Sequence, residues 1–159
     1  MDETGAIRLR AAEAADQEFL LELLASTRPD LSLIDGPARA MLLRFQFDAQ
    51  HAHYLQHFPH MEASVVLVSG QRAGRLYVAR TPTEIRLLDI SLMPDFRRRG
   101  IGGHLLTLLQ DQARNRGLPL RLHVLQGNPA RQLYERHGFQ ASVLEGLHLS
   151  MEWSAVSRV

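Results

Sequence analysis

The chain has 159 residues, 45% hydrophobic and 22% charged, with a formal net charge of +1. That profile fits one soluble domain (residues 1–159) large enough to bury a core without a metal or disulfide staple, and it carries no strong signal for a polyanion partner. The absence of cysteine excludes disulfides, thiolate metal sites and a cysteine nucleophile, and all 18 basic residues are arginine. No apolar run approaches the roughly 18 residues of a membrane span, and "MDETGAIRLR" lacks a signal-peptide core, so a cytoplasmic protein is expected. In chain order, "AIRLR" reads as a first strand. Asp16 to Leu24 has the apolar spacing of a helix, with Asp16 as N-cap. "STRPDLSLIDGP" reads as a loop, and Pro37 to Phe58 as one long helix or two short ones.

From Ala63 the pattern changes. "ASVVLVSGQRAGRLYVARTPTEIRLLDISL" contains three β-rich runs separated by "SGQR" and "TPT", which predicts an antiparallel meander. A helix from Gly103 to Arg116 follows, then a strand in "LPLRLHVL" and a helix from Pro129 to His137. Two closing strands span Phe139 to Leu144 and Leu147 to Trp153. A strand, crossover helix and next strand run parallel, so the sheet is mixed: antiparallel in its first half and parallel in the middle.

The junction "MPDFRRRGIGGHLL" carries the chemistry. A strand runs into a loop at Pro94 and then into a helix whose N-terminus holds Gly100, Gly102 and Gly103. The first amides of a helix are unpaired and sit at the positive end of its dipole, so they suit an anion. Arg97, Arg98 and Arg99 add guanidinium groups that match phosphate oxygens. Either this is a phosphate or diphosphate site, or it is a glycine-rich turn with solvated arginines. A dinucleotide fingerprint fails because Leu105 stands where the third glycine belongs, and a Walker A loop fails for want of lysine.

Arg97-Arg98-Arg99-Gly100-Ile101-Gly102 resembles the R/Q-x-x-G-x-G/A signature of the GNAT superfamily of acyl-CoA-dependent N-acetyltransferases. Downstream, "NPARQLYERHGF" (Asn128 to Phe139) is similar to that family's second block. The resemblance implies an α/β fold: a mixed, mostly antiparallel sheet flanked by helices, with strands 4 and 5 parallel and splayed to admit a pantetheine arm. It also implies acetyl-CoA as co-substrate, no metal, and an amine or peptide acceptor. Cofactor contacts would come from Leu92, Arg97, Arg98, Arg99, Gly100, Ile101, Gly102, Gly103, His104 and Asn128. Tyr134 would protonate the departing thiolate.

Asn128 and Pro129 also make a good helix start, and Gly138 a good stop, whatever the function. Tyr134 by itself could equally be a core aromatic. With no cysteine present, the simplest mechanism is direct attack of a neutral amine on the thioester. A gap-free register puts Arg86 where some family members carry a catalytic glutamate, which leaves Glu84, the histidines or a water relay as candidates for the general base. Alternation along "EIRLLDISL" puts Asp89 on one face with Leu87 and Ser91, opposite Leu88, Ile90 and Leu92. Asp89 is then a structural aspartate, an acceptor anchor or a base.

In "HAHYLQHFPH", His53 and His57 share a helical face, but no third ligand has suitable spacing, so a solvated pair is expected rather than a metal site. Phe47 and Tyr54 are helix-packing residues or, by the family resemblance, candidates to line the acceptor site. The reading of a different class is a catalytically idle acyl-CoA-binding sensor or scaffold. Nucleic-acid and membrane partners are not expected, and an oligomer is possible.

Overall fold

The computed structural model describes residues 6–155. The ends of the expected 1–159 domain, residues 1–5 and 156–159, lie outside the described residues. Seven strands form one sheet in the order β1-β2-β3-β4-β5-β7-β6. They are β1 (Ile7–Ala11), β2 (Glu62–Val68), β3 (Gln71–Arg80), β4 (Ile85–Leu92), β5 (Leu120–Leu125), β6 (Gln140–Glu145) and β7 (His148–Trp153). The helices are α1 (Gln17–Ser26), α2 (Gly36–His57), α3 (Ile101–Arg116) and α4 (Ala130–Arg136). Only β4 and β5 pair in parallel; every other neighbouring pair is antiparallel. The mixed sheet and its parallel centre therefore match the sequence expectation. The Pro37–Phe58 stretch is a single 22-residue helix, and the "STRPDLSLIDGP" loop winds into a 3-10 turn over Pro29–Leu33.

One face of the sheet carries most of the apolar burial. Ile101, Leu105, Leu106 and Leu109 of α3 recur on one side of that helix and meet Val66, Val78, Ile85, Leu87, Leu120 and Leu122 of the strands, with Tyr134 and Phe139 closing the far end. Gln110 crosses from α3 to donate from Nε2 to the His137 carbonyl at 2.7 Å, fastening the C-terminus of α4. Gly138, at φ +88°, ends that helix in left-handed geometry as expected. On the opposite face, α1 and α2 enclose a much smaller core of Leu20, Leu23 and Phe47.

Asp16 departs from its expected role. Its side chain does not cap α1. It is buried, and it takes two hydrogen bonds from the Arg10 guanidinium at 2.7 and 2.8 Å, one from Arg72 at 3.2 Å and one from the Glu13 amide at 2.8 Å. A carboxylate with this many donors is worth more inside than at a helix end, because each charge-assisted bond replaces water well.

The pH dependence of stability follows from this site. The Arg10 hydrogen bond, with the Glu13 amide and Arg72, holds the Asp16 carboxyl well below its ordinary range despite burial. A depressed folded-state value means stabilisation that is present above the unfolded carboxyl value of ~3.9 and is lost as pH falls below it. Asp16→Asn is expected to cost about 2–4 kcal/mol at pH 7 in denaturant unfolding. The gap should narrow below about pH 4. An equal gap at pH 7 and pH 3 would contradict this.

Candidate active site

The β4 strand contains the feature that organises the site. On its β3 side, Tyr77 opposes Asp89 and Val78 opposes Leu87, so Leu88 has no partner and forms a bulge. On its β5 side, pairing runs only from Ile85–Leu120 to Leu87–Leu122. Beyond that point β4 continues to Leu92 and β5 to Leu125 unpaired with each other, which opens a cleft in the middle of the sheet.

The bulge also corrects the expected facing of Asp89. A period of two assumes one residue per step, and the extra residue at Leu88 reverses the pattern. Leu87, Ile90 and Leu92 all pack on the α3 core. Asp89 instead faces α2 with Ser91, Arg75 and Tyr77. There Arg75 Nε donates to Asp89 Oδ2 at 2.5 Å and Ser91 Oγ donates to the same oxygen at 2.9 Å. Arg75 Nη2 donates to Gln50 Oε1 at 2.8 Å, and the guanidinium lies 4.4 Å from the Tyr77 ring centroid. Tyr54 donates its phenolic proton to the Leu88 carbonyl at 3.2 Å. Burial, with the Asp89 charge added, pushes the Tyr54 phenol up to about 12.

Tyr134 projects from α4 into the main core, its ring 5.8 Å from that of Phe139. Burial raises its phenol well above the ordinary value, and the Asp89 charge raises it further, so the group is held protonated. Tyr54 and Asp89 thus meet at the bulge from α2 and β4, while Tyr134 lies in the α3-side core within reach of the Asp89 charge. Phe47 does not join them: it stacks on His51 and packs with Leu20 and Leu23. The His53 and His57 rings lie with centroids 4.4 Å apart and planes tilted by 46°, on the exposed side of α2. Among the described residues, no group of three or more His, Cys, Asp or Glu side chains is arranged to hold a metal ion.

At the upper end of β4, Arg98 and Gly100 both have left-handed backbone, at φ +60° and +80°. This winding turns the chain into α3 so that the amides of Ile101, Gly102 and Gly103, which lack intrahelical partners, open the helix. The Ile101 side chain is buried in the core, leaving its backbone as the available group. Gly102 and Gly103 have a packing role of their own. A Cβ on Gly102 would lie 3.2 Å from Leu133 Cδ2, and one on Gly103 would lie 3.1 Å from His137 Nε2, so α4 approaches closely because both are glycine.

The three arginines divide. Arg97 turns back, donating from Nε to the Leu92 carbonyl at 2.8 Å and from Nη2 to Ser26 Oγ at 3.2 Å. Arg99 lies over the Phe96 ring at 5.2 Å, while Arg98 and His104 are exposed. Asn128 accepts the Ala130 amide at Oδ1 (2.9 Å), the capping bond expected of it.

Sequence reasoning missed Arg75, Gln50 and Tyr77. The available signal was a charged residue at an interior position of the apolar run "AGRLYVA", two strand positions from Tyr77, in a meander that also contains Asp89.

Solved structures share this architecture. PaiA N-acetyltransferase from Thermoplasma acidophilum, solved in complex with coenzyme A, superposes with a TM-score of 0.69 at 18% identity, covering 94% of this chain and 99% of that one. Campylobacter jejuni N-acetyltransferase PseH, solved in complex with acetyl coenzyme A, gives 0.62 at 15% identity, with 95% and 100% covered. Ard1 from Thermoplasma volcanium gives 0.63 at 20% identity, with 96% and 99% covered. No curated protein matches the sequence. The sequence profile of the acetyltransferase (GNAT) family matches residues 21–139, which takes in α2, the bulged β4, the glycine-opened α3 and the helix bearing Tyr134: the chain belongs to the GNAT acetyltransferase family.

Proposed function

We propose that this protein is an N-acetyltransferase that moves an acetyl group from acetyl-CoA to a primary amine by direct attack on the thioester. The observation that carries the reading is the cleft itself: β4 and β5 part after Leu87–Leu122, with open helix amides at one end and a protonated phenol below. The two structural neighbours solved with coenzyme A or acetyl coenzyme A support it.

In this reading the pantetheine arm lies in the cleft, and the pyrophosphate meets the amides of Gly100, Ile101, Gly102 and Gly103 beside Arg98 and Arg99. Arg97 braces the loop from behind through Leu92 and Ser26. His104, exposed on the first turn, and Asn128, at the start of α4, border the arm. The whole described chain serves as one catalytic domain. The thioester supplies the acetyl group and the thiolate leaving group. Tyr134, which carries its proton at neutral pH, gives it to the sulfur as the C–S bond breaks. The acceptor enters from the α2 side, past Tyr54.

Cofactor binding is tested by melting. A ligand that binds only the native state stabilises it by mass action, so CoA should raise the Tm. Gly102→Ala, which asks Leu133 to move by a few tenths of an ångström, should keep most of the shift. Gly102→Asp should lose it by adding negative charge at the helix amides. A full shift in a folded Gly102→Asp protein would remove the pyrophosphate from this site.

The proton-donor role is tested by Tyr134→Phe, which keeps the ring packing and deletes the hydroxyl. Turnover should fall by tenfold or more, about 1.4 kcal/mol in barrier height, with CoA affinity little changed. A kcat within about twofold of wild type, ~0.4 kcal/mol, would exclude the acid role.

Transfer itself is tested with a thiol-reactive dye, because a chain with no cysteine gives no background and one with no lysine offers no side-chain amine for self-acetylation. A panel of polyamines, aminoglycosides, amino acids and short peptides should contain at least one primary amine that releases CoA well above hydrolysis. Tight CoA binding with no acceptor-dependent release across the panel would favour an acyl-CoA sensor instead.

A further inference from the structure

The most buried charge beneath α2 has no part in the transfer steps above. Arg75 is only 4% exposed, yet it sits under α2, held to Gln50 and stacked on Tyr77. Its Nε and the Ser91 hydroxyl both use Asp89 Oδ2. Asp89 Oδ1 has no partner among the described residues, and the Asp89 side chain keeps 22% exposure at the cleft. Beside it, the Tyr54 oxygen has spent its proton on the Leu88 carbonyl and retains its lone pairs, as that carbonyl retains its second. Around the bulge, then, Asp89 Oδ1, the Tyr54 oxygen and the Leu88 carbonyl each keep acceptor capacity, and a primary ammonium carries three N–H bonds.

A carboxylate alone would bind such a group too well, because it stabilises the charged form that cannot attack. Resting on the transfer reading above, we propose that Asp89 Oδ1 receives the ammonium of an aliphatic primary amine. In the same proposal, Arg75 is a positioning residue whose fixed cation drives that ammonium to release its proton before attack. Two like charges about 6 Å apart at an effective dielectric of ~20 oppose each other by up to about two pH units, which offsets about half the pull of the nearer carboxylate, and burial of the ammonium acts in the same direction as the cation.

The proton leaves through Asp89 to cleft water. The freed lone pair attacks the thioester carbon, the C–N bond forms and the C–S bond breaks. The sulfur takes the Tyr134 proton, and the phenolate recovers the proton that the nitrogen sheds. The other titratable groups facing this point are His51 and Tyr54 on α2, Tyr77 on β3, Arg86 on β4, His123 on β5 and Tyr134. Arg86 is paired with Glu84, Nε to Oε2 at 2.8 Å. Burial and Arg86 lower His123, so it is neutral in the window that matters. Burial raises all three phenols above their ordinary value.

The test is the pH dependence of kcat for CoA release with methylamine, the smallest primary ammonium, at saturating acetyl-CoA from pH 6.5 to about 10.5, the ordinary alkylammonium value being ~10.4. In wild type the rising limb should have its midpoint near that value, because the cation and the burial of the ammonium together offset the carboxylate. Arg75→Gln should move the midpoint up by about one unit. At pH 7.5 it should lower both KM and kcat, because the amine is held more tightly in its inert form. Arg75→Lys, whose ammonium burial pushes toward losing its proton, should restore the midpoint only in part, and least at high pH. The double variant Arg75→Gln/Asp89→Asn leaves no unpaired buried charge and guards against misfolding; it should raise KM and bring the midpoint near the ordinary value. An unmoved midpoint in a folded Arg75→Gln protein overturns the proposal. So does release with larger panel amines but none with methylamine, which would leave acetyl transfer standing. No release with any amine would overturn the transfer reading and this one with it.

Discussion

One unpaired residue, Leu88, sets the terms for the rest of the site. A bulge on a central strand reverses the facing of everything after it and increases the local twist. Here it turns Asp89 toward α2 while returning Ile90 and Leu92 to the α3 core. It frees a carbonyl, which Tyr54 occupies from α2. It also stands one residue beyond the last β4–β5 pair, so the change of twist and the parting of the strands coincide. Cleft, carboxylate and phenol are consequences of one irregularity in the ladder.

The two faces of the sheet divide stability from chemistry. The α3 face holds a continuous apolar cluster from β2 to β7, and burial of this kind supplies most of a domain's folding free energy. The α2 face holds a small core of three buried side chains, and between it and the cleft stand Arg75, Gln50, Tyr54 and Tyr77 in a shared polar network. A buried Arg–Asp pair is a poor route to stability, since the loss of hydration offsets much of the attraction. Its presence where aliphatic side chains would pack at less cost is therefore better explained by what it does at the bulge. Gly74 belongs to the same region: a Cβ there would lie 2.1 Å from the Ser91 carbonyl, so β3 and β4 approach closely just where the carboxylate and its arginine meet.

The local parts of this structure were legible in the sequence, and the non-local ones were not. The meander, the helix after Gly100, the cap at Asn128 and the stop at Gly138 all depend on neighbours within a few residues, and all fall within two residues of expectation. The facing of Asp89 failed because counting by two cannot see an inserted residue. Asp16 failed because its partners, Arg10 and Arg72, come from two other strands, and nothing near Asp16 in sequence announces Arg72. The arginine run read as one cluster, but Arg97 is claimed by Ser26 across 71 positions. Gly102 and Gly103 looked like room for an anion, and they also make room for α4, a demand set by Leu133 and His137.

The restriction of basic residues to arginine bears on how such a site works. Guanidinium groups stay charged across the whole range in which amines, imidazoles and phenols titrate. The cations that hold Asp16, Asp89, Glu84 and the Leu92 carbonyl are all arginines, so the electrostatic frame around the cleft is constant while the groups inside it change state. A lysine beneath α2 would sit under the same desolvation that pushes Tyr54 and Tyr77 upward, and burial acts on an ammonium in the direction of losing its proton. It would then compete with an acceptor for the same carboxylate and for the same acetyl group. Arginine at position 75 can do neither, since it keeps its charge and is not an ordinary nucleophile. The choice of cation thus separates the group that shapes the field from the group that reacts in it.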